Sequence, residues 1–216
     1  MKKLFWIVTF LCISTTFWAQ SKVKLGINGG LNYSSLRGNE LSENLKSGFS
    51  FLGGISFEYF VKENISINAN VNFEQKLVKD DGYFYLTDEY GYTEVDKSDS
   101  KLKYNYLIVP VYANYYFGSK KDFYVNGGFF TGYLIDSKYT SKQFNSTKDT
   151  TEMNKKSDFG LVFGFGKLFE LDEKNNLKVE LRENLGLVNT SDVKVFNDGT
   201  IKTNSINLIL NWSFNL

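Results

Sequence analysis

Apolar and polar residues alternate along most of this chain in segments of about ten residues, and a period of two is the pattern of a β-strand with unlike faces. The clearest segment is Ile65–Phe73, in which apolar residues alternate with serine and asparagine. The segments predict about eight strands, each close to the ~9–11 residues that a tilted membrane-crossing strand needs. They are Val23–Tyr33, Phe49–Tyr59, Ile65–Phe73, Tyr104–Phe117, Phe123–Ile135, Phe159–Phe165, Leu177–Leu187 and Ile206–Leu216.

The connections between these segments alternate between long and short. The long ones are Ser34–Ser47, Leu77–Lys103, Asp136–Lys156 and Val188–Asn204, and the short ones are Val61–Asn64, Gly118–Lys121 and Glu170–Asn176. Outer-membrane barrels have long extracellular loops and short periplasmic turns. We therefore expect an all-β fold, an eight-stranded antiparallel up-and-down transmembrane β-barrel with short periplasmic turns and long extracellular loops.

Alternation alone does not say which face points inward. In a soluble barrel such as a lipocalin the apolar residues fill the interior, whereas in a membrane barrel they face lipid. The polar faces here are rich in glycine, asparagine and serine, which suits a narrow interior, and the last strand ends on Trp212, Phe214 and Leu216. Both features favour the membrane barrel.

The fourth predicted strand departs from the pattern. It is apolar on both faces, and its outward set is expected to include Leu107, Tyr115 and Phe117. It also contains Pro110, the only proline of the chain. Because proline has no backbone N–H to donate to a neighbouring strand, we expect a local bulge there.

The first 19 residues have the composition of a secretory signal peptide. Lys2 and Lys3 are followed by an uncharged apolar stretch from Leu4 to about Trp18, which is shorter than the ~20 residues of a spanning helix. We expect residues 1–19 to be cleaved and residues 20–216 to form the barrel. Cleavage would remove Cys12, the only cysteine, and would change the formal charge from +1 to −1, because two lysines leave with no acidic residue.

Aromatic residues make up 17% of the chain and gather near strand ends, as in the interfacial girdles of membrane barrels. The expected lipid-interface aromatics are Tyr59, Tyr115, Phe117, Trp212 and Phe214.

Charged residues also occur on the polar faces of the predicted strands. The expected interior polar network is Glu58, Glu74, Asp158, Lys178, Glu180 and Arg182. Such charges could line a pore or a proton path, or they could form a closed salt-bridge network. Because eight strands leave an interior just wide enough for side chains, we favour the closed network.

The sequence contains few residues that indicate a catalytic or ligand-binding site. The chain has no histidine, which removes the usual general base and metal ligand, so we predict no catalytic, cofactor-binding or metal-binding residue. The acidic, tyrosine-rich loop Lys79–Lys103 could bind a cation or a carbohydrate. It lacks a regular calcium-loop spacing, so we favour an exposed loop whose aromatic residues pack on one another.

Several motifs resemble the Bacteroidetes-type outer membrane β-barrel proteins, which include PorT-like and OmpX-like eight-stranded barrels. The resemblance covers most of the chain after the signal peptide and rests on Tyr106–Val111, Tyr115–Phe117, Phe123–Gly128, Asp158–Gly166 and Asn204–Leu208. It implies a barrel in the outer membrane of a Gram-negative cell. Ile108 replaces an acidic residue that is often found two positions before the proline, so the resemblance does not extend to the secretion component itself.

These features lead to a functional hypothesis. We expect a non-enzymatic, porin-like outer-membrane barrel that acts as a structural or interaction protein through its extracellular loops. The alternatives are a narrow channel or an accessory part of a secretion or transport machine, and a surface lipid or peptide hydrolase is less favoured. The expected partners are outer-membrane lipid and lipopolysaccharide, the barrel-assembly machinery and an unknown extracellular or periplasmic molecule. The near-neutral charge argues against nucleic acid.

Overall fold

Each alternating segment forms a strand in the computed structural model, which describes residues 22–87, 93–97, 99–194 and 199–216. The predicted signal peptide, residues 1–19, lies outside the described residues. The elements are β1 (Val23–Arg37), α1 (Glu40–Glu43), β2 (Lys46–Lys62), β3 (Ile65–Asp80), β4 (Tyr83–Thr87), β5 (Thr93–Lys97), β6 (Ser100–Phe117), β7 (Phe123–Ser141), β8 (Ser146–Asp149), a 3₁₀ turn (Thr151–Met153), β9 (Ser157–Glu170), β10 (Asn175–Gly186) and β11 (Lys202–Asn215).

Within the described residues, eight long strands close into one antiparallel barrel. Each strand pairs with its neighbours in the chain, in the order β1, β2, β3, β6, β7, β9, β10 and β11, and β11 returns to pair with β1. The predicted up-and-down barrel is confirmed. The termini and the short turns lie at the same end, where the Leu216 N–H donates to the Val23 carbonyl over 3.0 Å.

The two faces of the strands have opposite environments. Outward side chains such as Ile55 and Phe51 are 61% and 52% exposed, whereas the inward side chains Asn32 and Glu74 are at most 1% exposed. The apolar face is therefore outside and most of the polar residues are inside. This orientation is the reverse of a soluble barrel and is typical of a barrel in lipid.

The strands are longer at the loop end than the sequence pattern indicates. β1 continues to Arg37, β3 to Asp80 and β7 to Ser141, and β6 begins at Ser100. The predicted long connections are therefore wrong in their bounds, since only about half of residues 34–47 lie outside strands. The extensions persist because their inward side chains, including Leu36 and Val78, remain buried.

Short elements occupy the remaining loops. β4 and β5 form a separate two-stranded hairpin, and β8 adds to the edge of β7. Asn39 caps α1 by accepting a hydrogen bond from the Ser42 N–H over 2.9 Å. No helix of the described residues is long and apolar enough to cross a membrane.

The bulge expected at Pro110 is not present. Pro110 stays in register opposite Phe130, and β3 and β6 keep one register on both sides of it. The β6–β7 pair instead has a register shift between Asn105 and Tyr106. Because Pro110 has no backbone N–H, hydrogen bonding to β3 is lost at this position, but the strand contains no inserted residue.

The interior is less polar than expected. A buried apolar cluster lies on the wall formed by β6, β7 and β9 and extends to the loop end, where Leu45, Leu102 and Ile201 pack against it. Its members are Leu36, Val78, Tyr104, Tyr106, Ile108, Tyr112, Phe130, Leu134 and Val162. β6 is apolar on both faces because one face meets lipid and the other meets this cluster.

The turns at the other end use local polar capping. The Asp172 carboxylate accepts hydrogen bonds from the Lys174 and Asn175 N–H groups at 2.8 Å. These bonds, first of all the one from Lys174, hold the pKa of Asp172 below its usual range. Gly118 and Lys121 adopt positive φ values of 90° and 52°, which lets β6 reverse into β7 within a few residues.

Candidate functional site

Glu58 on β2 is the centre of the lower interior. One carboxylate oxygen accepts from Lys178 Nζ over 2.5 Å. The other accepts from Ser66 Oγ and the Tyr116 hydroxyl, each over 2.6 Å, and from Asn114 Nδ2 over 3.1 Å. Because the carboxylate has a cation and several donors, its charge is compensated although the residue is only 3% exposed.

Glu180 and Arg182 form a second pair on β10. They are two positions apart, so the period of a strand places both side chains on the inward face. Arg182 Nε donates to Glu180 over 2.5 Å, and the Tyr124 hydroxyl donates to the other carboxylate oxygen over 2.8 Å. The guanidinium also lies 4.4 Å from the centre of the Tyr112 ring, a cation–π distance.

The third group lies nearer the loop end and contains Glu74, Lys76 and Asp158. Lys76 Nζ is 3.4 Å from the Asp158 carboxylate and 4.0 Å from that of Glu74. It also donates to Thr203 Oγ1 over 2.8 Å. Glu74 further accepts from Asn32 and Asn184, over 2.9 and 3.1 Å.

The structure therefore brings all six predicted network residues into the interior, in three separate groups. It adds Lys24 and Lys76, which the sequence reasoning did not single out although both occupy inward positions of the same alternation. With them, the buried acidic residues Glu58, Glu74, Asp158 and Glu180 are matched by an equal number of buried basic residues, Lys24, Lys76, Lys178 and Arg182. The interior of the described barrel is neutral overall.

The space left between these side chains is very small. A cavity of about 10 Å³ lies beside Lys24, Glu58 and Lys178, and a site of that size holds about one water molecule. Below it, Tyr116, Tyr124 and Leu168 pack together with Phe60. The barrel is thus filled by polar groups on one wall and apolar groups on the other.

The predicted interface aromatics lie on the outer surface. Tyr115, Phe117, Trp212 and Phe214 are 40–51% exposed, and Tyr59 is half-buried on the same face. Trp212 and Phe214 pack with ring centres 5.1 Å apart. All five residues lie near the short-turn end of the barrel.

The described residues include no group of three or more histidine, cysteine, aspartate or glutamate side chains that could hold a metal ion. The buried carboxylates of Glu58, Glu74, Asp158 and Glu180 belong to residues that are at most 5% exposed. The acidic loop of residues 79–103 is described in part: its hairpin strands β4 and β5 are placed, but residues 88–92 and 98 lie outside the description.

A comparison with protein families identifies the type of barrel. A family model described as "Outer membrane protein beta-barrel domain" matches residues 18–192. Neisserial surface protein A is similar in structure, with a TM-score of 0.48, 14% identity and coverage of 92% of this chain and 99% of that chain. The attachment invasion locus protein Ail of Yersinia pestis has a TM-score of 0.44 and 13% identity, over 89% of this chain and 99% of that chain.

The N-terminal β-barrel domain of OprF from Pseudomonas aeruginosa is also similar, with a TM-score of 0.44, 13% identity and coverage of 92% of this chain and all of that chain. No curated protein matches the sequence.

Proposed function

We propose a role for this chain from one premise: it belongs to the outer membrane protein beta-barrel domain family and is an outer-membrane β-barrel protein. The role is that of a non-enzymatic interaction protein, anchored by the barrel, whose extracellular end contacts a molecule outside the cell. Residues 1–19 direct export as a signal peptide and are then cleaved, and insertion uses the barrel-assembly machinery. The motifs around Pro110 and Gly160 support a place among the Bacteroidetes-type, PorT-like barrels of Gram-negative cells.

The observation that carries this proposal is the unequal construction of the two ends. The short-turn end consists of connections of a few residues, such as 63–64 and 171–174. The other end has strands that continue beyond the apolar band, the β4–β5 hairpin, β8 and α1. Structure that crosses no lipid and adds nothing to barrel closure is suited to contact with another molecule.

The filled interior supports an interaction role over transport or catalysis. A cavity of about 10 Å³ leaves no room for a solute. The carboxylates Glu58 and Glu180 are bonded to buried cations and tyrosines, so a substrate could not reach them. The loops remain as the accessible part of the molecule.

The test replaces the hairpin, residues 82–98, with a short glycine–serine linker. Cells that display the full chain or the variant are applied to immobilised extracellular-matrix proteins and glycans. We expect the full chain to bind at least one of these surfaces and the hairpin variant to lose that binding. Both should still show the heat-modifiable gel mobility of a folded barrel.

A matched control places the same linker at the opposite end, in exchange for residues 118–121. That variant should bind as the full chain does. Binding that survives removal of the hairpin, or a full chain that binds none of the surfaces, would contradict the proposal.

A further inference from the structure

Five lysines occupy neighbouring positions at the loop ends of β2, β3, β6 and β7. In the strand register Lys46 is opposite Lys79, Lys79 is opposite Lys101, and Lys103 is opposite Lys138. We call this set, Lys46, Lys79, Lys101, Lys103 and Lys138, the lysine wall. Directly opposed residues have Cβ atoms about 4.5–5.5 Å apart, so the positive charges are concentrated in one area.

The lysine wall faces away from the barrel axis. The residues that alternate with it, Val78, Leu102 and Tyr139, belong to the inward face: Val78 is in the buried cluster, Leu102 packs against it, and the Tyr139 hydroxyl donates to buried Ser100. The side chains of Lys46 and Lys138 are 67% and 52% exposed. The ammonium groups are therefore directed toward whatever surrounds the barrel.

Nearby carboxylates compensate only part of this charge. Asp81 is 3.1 Å from Lys46, and Asp136 is 3.9 Å from Lys138 while it also accepts two hydrogen bonds from Asn105. Among the described residues, no carboxylate lies within 4.0 Å of the ammonium groups of Lys79, Lys101 or Lys103. Like charges opposite one another destabilise a sheet, so an anion bound from outside the protein would stabilise this arrangement.

The distance of the lysine wall from the apolar band of the barrel indicates which anion it binds. On the outward face the continuous apolar band ends at Phe73, Leu107 and Ile135, a polar row containing Gln75 and Asn105 follows, and Leu77, which is opposite Lys103, is a further apolar residue beyond that row. Lys103 lies four positions beyond Leu107, which is about 10 Å along the axis of a tilted strand. A bilayer extends about 5–8 Å beyond its hydrocarbon on each side, and a long lysine side chain can reach back toward the hydrocarbon, so the ammonium groups can lie at the level of the lipid headgroups.

We propose that the lysine wall is a binding site for the phosphate groups of lipids in the surrounding outer leaflet. Lysine binds phosphate as a mobile point charge, and two rows of lysines offer several ammonium groups to a lipid that carries more than one phosphate. The site lies on one side of the barrel, across β2, β3, β6 and β7, so the bound lipid would fix the orientation of the loops above it. This inference does not depend on what the loops contact.

The test measures binding of a diphosphorylated glycolipid, lipid A, to the detergent-folded protein by native mass spectrometry and by titration. The variant K79Q/K101Q/K103Q removes the three lysines that have no carboxylate within 4.0 Å among the described side chains. The control K62Q/K120Q/K174Q removes the same charge at the short-turn end. Heat-modifiable gel mobility confirms that each protein is folded, and K103Q alone serves if the triple variant does not fold.

We expect the lysine-wall variant to bind lipid A on the order of tenfold more weakly or worse, and the control to bind as the unchanged protein does. Dephosphorylated lipid A should bind weakly to every protein, and millimolar inorganic phosphate should not displace lipid A. An equal loss in both triple variants would mean general electrostatic attraction and would overturn the proposal. Unchanged binding in the lysine-wall variant, or displacement by inorganic phosphate, would also overturn it.

Discussion

The ion pair between Glu58 and Lys178 shows what a single residue contributes inside this barrel. Each partner is at most 5% exposed, so each charge depends on the other. Removal of one partner leaves the other as a buried, uncompensated charge, and such a loss costs about 3–5 kcal/mol. Removal of both leaves an apolar or neutral contact, which costs much less.

Lys178→Met should therefore lower the free energy of unfolding by about 3–5 kcal/mol, measured by denaturant titration of the protein in lipid vesicles. The double variant Glu58→Gln/Lys178→Met should recover a large part of that loss. Lys120→Met, at an exposed turn, is the control and should change the free energy by less than ~0.5 kcal/mol. An unchanged midpoint for Lys178→Met would show that the pair does not stabilise the barrel.

The sequence predicts that these residues lie on the inward face of the barrel, but it does not predict which residues they form ion pairs with. The period of two places Glu58, Lys178 and Lys76 inside, because each occupies an inward position of its strand. Which cation meets which carboxylate depends on distances across the barrel between residues far apart in the chain, 120 positions for Glu58 and Lys178. Local alternation contains no information on such pairs.

At the scale of the element, β1 places two glycines side by side in different surroundings. A Cβ atom on Gly30 would collide with the backbone carbonyl of Leu208 on β11, whereas a Cβ atom on Gly29 would have nothing within 4 Å. Gly30 faces the interior, where β1 and β11 approach closely, and Gly29 faces outward. The two positions form a matched pair within one strand.

Gly30→Ala should lower the free energy of unfolding in vesicles by about 1–3 kcal/mol, because the strands must shift to accept the methyl group. Gly29→Ala should leave the free energy within ~0.5 kcal/mol or raise it slightly, since alanine restricts the unfolded chain. Equal effects at both positions would argue against the close approach of β1 and β11 at Gly30.

The limits of prediction at this scale lie at the ends of the strands. The centres of most barrel strands follow from alternation, because each crosses the same two environments, and β6 departs from it because its inward face meets the buried apolar cluster. The extensions to Arg37 and Asp80 do not, because there the outer surface is no longer apolar and the pattern fades while hydrogen bonding continues. The bulge predicted at Pro110 was wrong for a related reason. The missing hydrogen bond affects only that position, whereas the register is set by the whole strand.

For the whole molecule, the filled interior leads to an electrical prediction. The protein in a planar bilayer should show no discrete conductance steps, because the cavity beside Glu58, Lys178 and Arg182 measures only about 10 Å³. Heat-inactivated protein serves as the background. Reproducible steps from folded protein would show that the interior opens and would favour a narrow channel instead.

The pairing of β1 with β11 also constrains how the molecule is made. Lys24 lies opposite Asn215 and Arg37 opposite Lys202, so the barrel closes between its first and last strands in chain order. Until the last segment has arrived, β1 and the growing end each present an unpaired edge, which is a hazard for aggregation. Closure therefore requires β11 to have reached β1, and the barrel cannot close from its earlier strands alone.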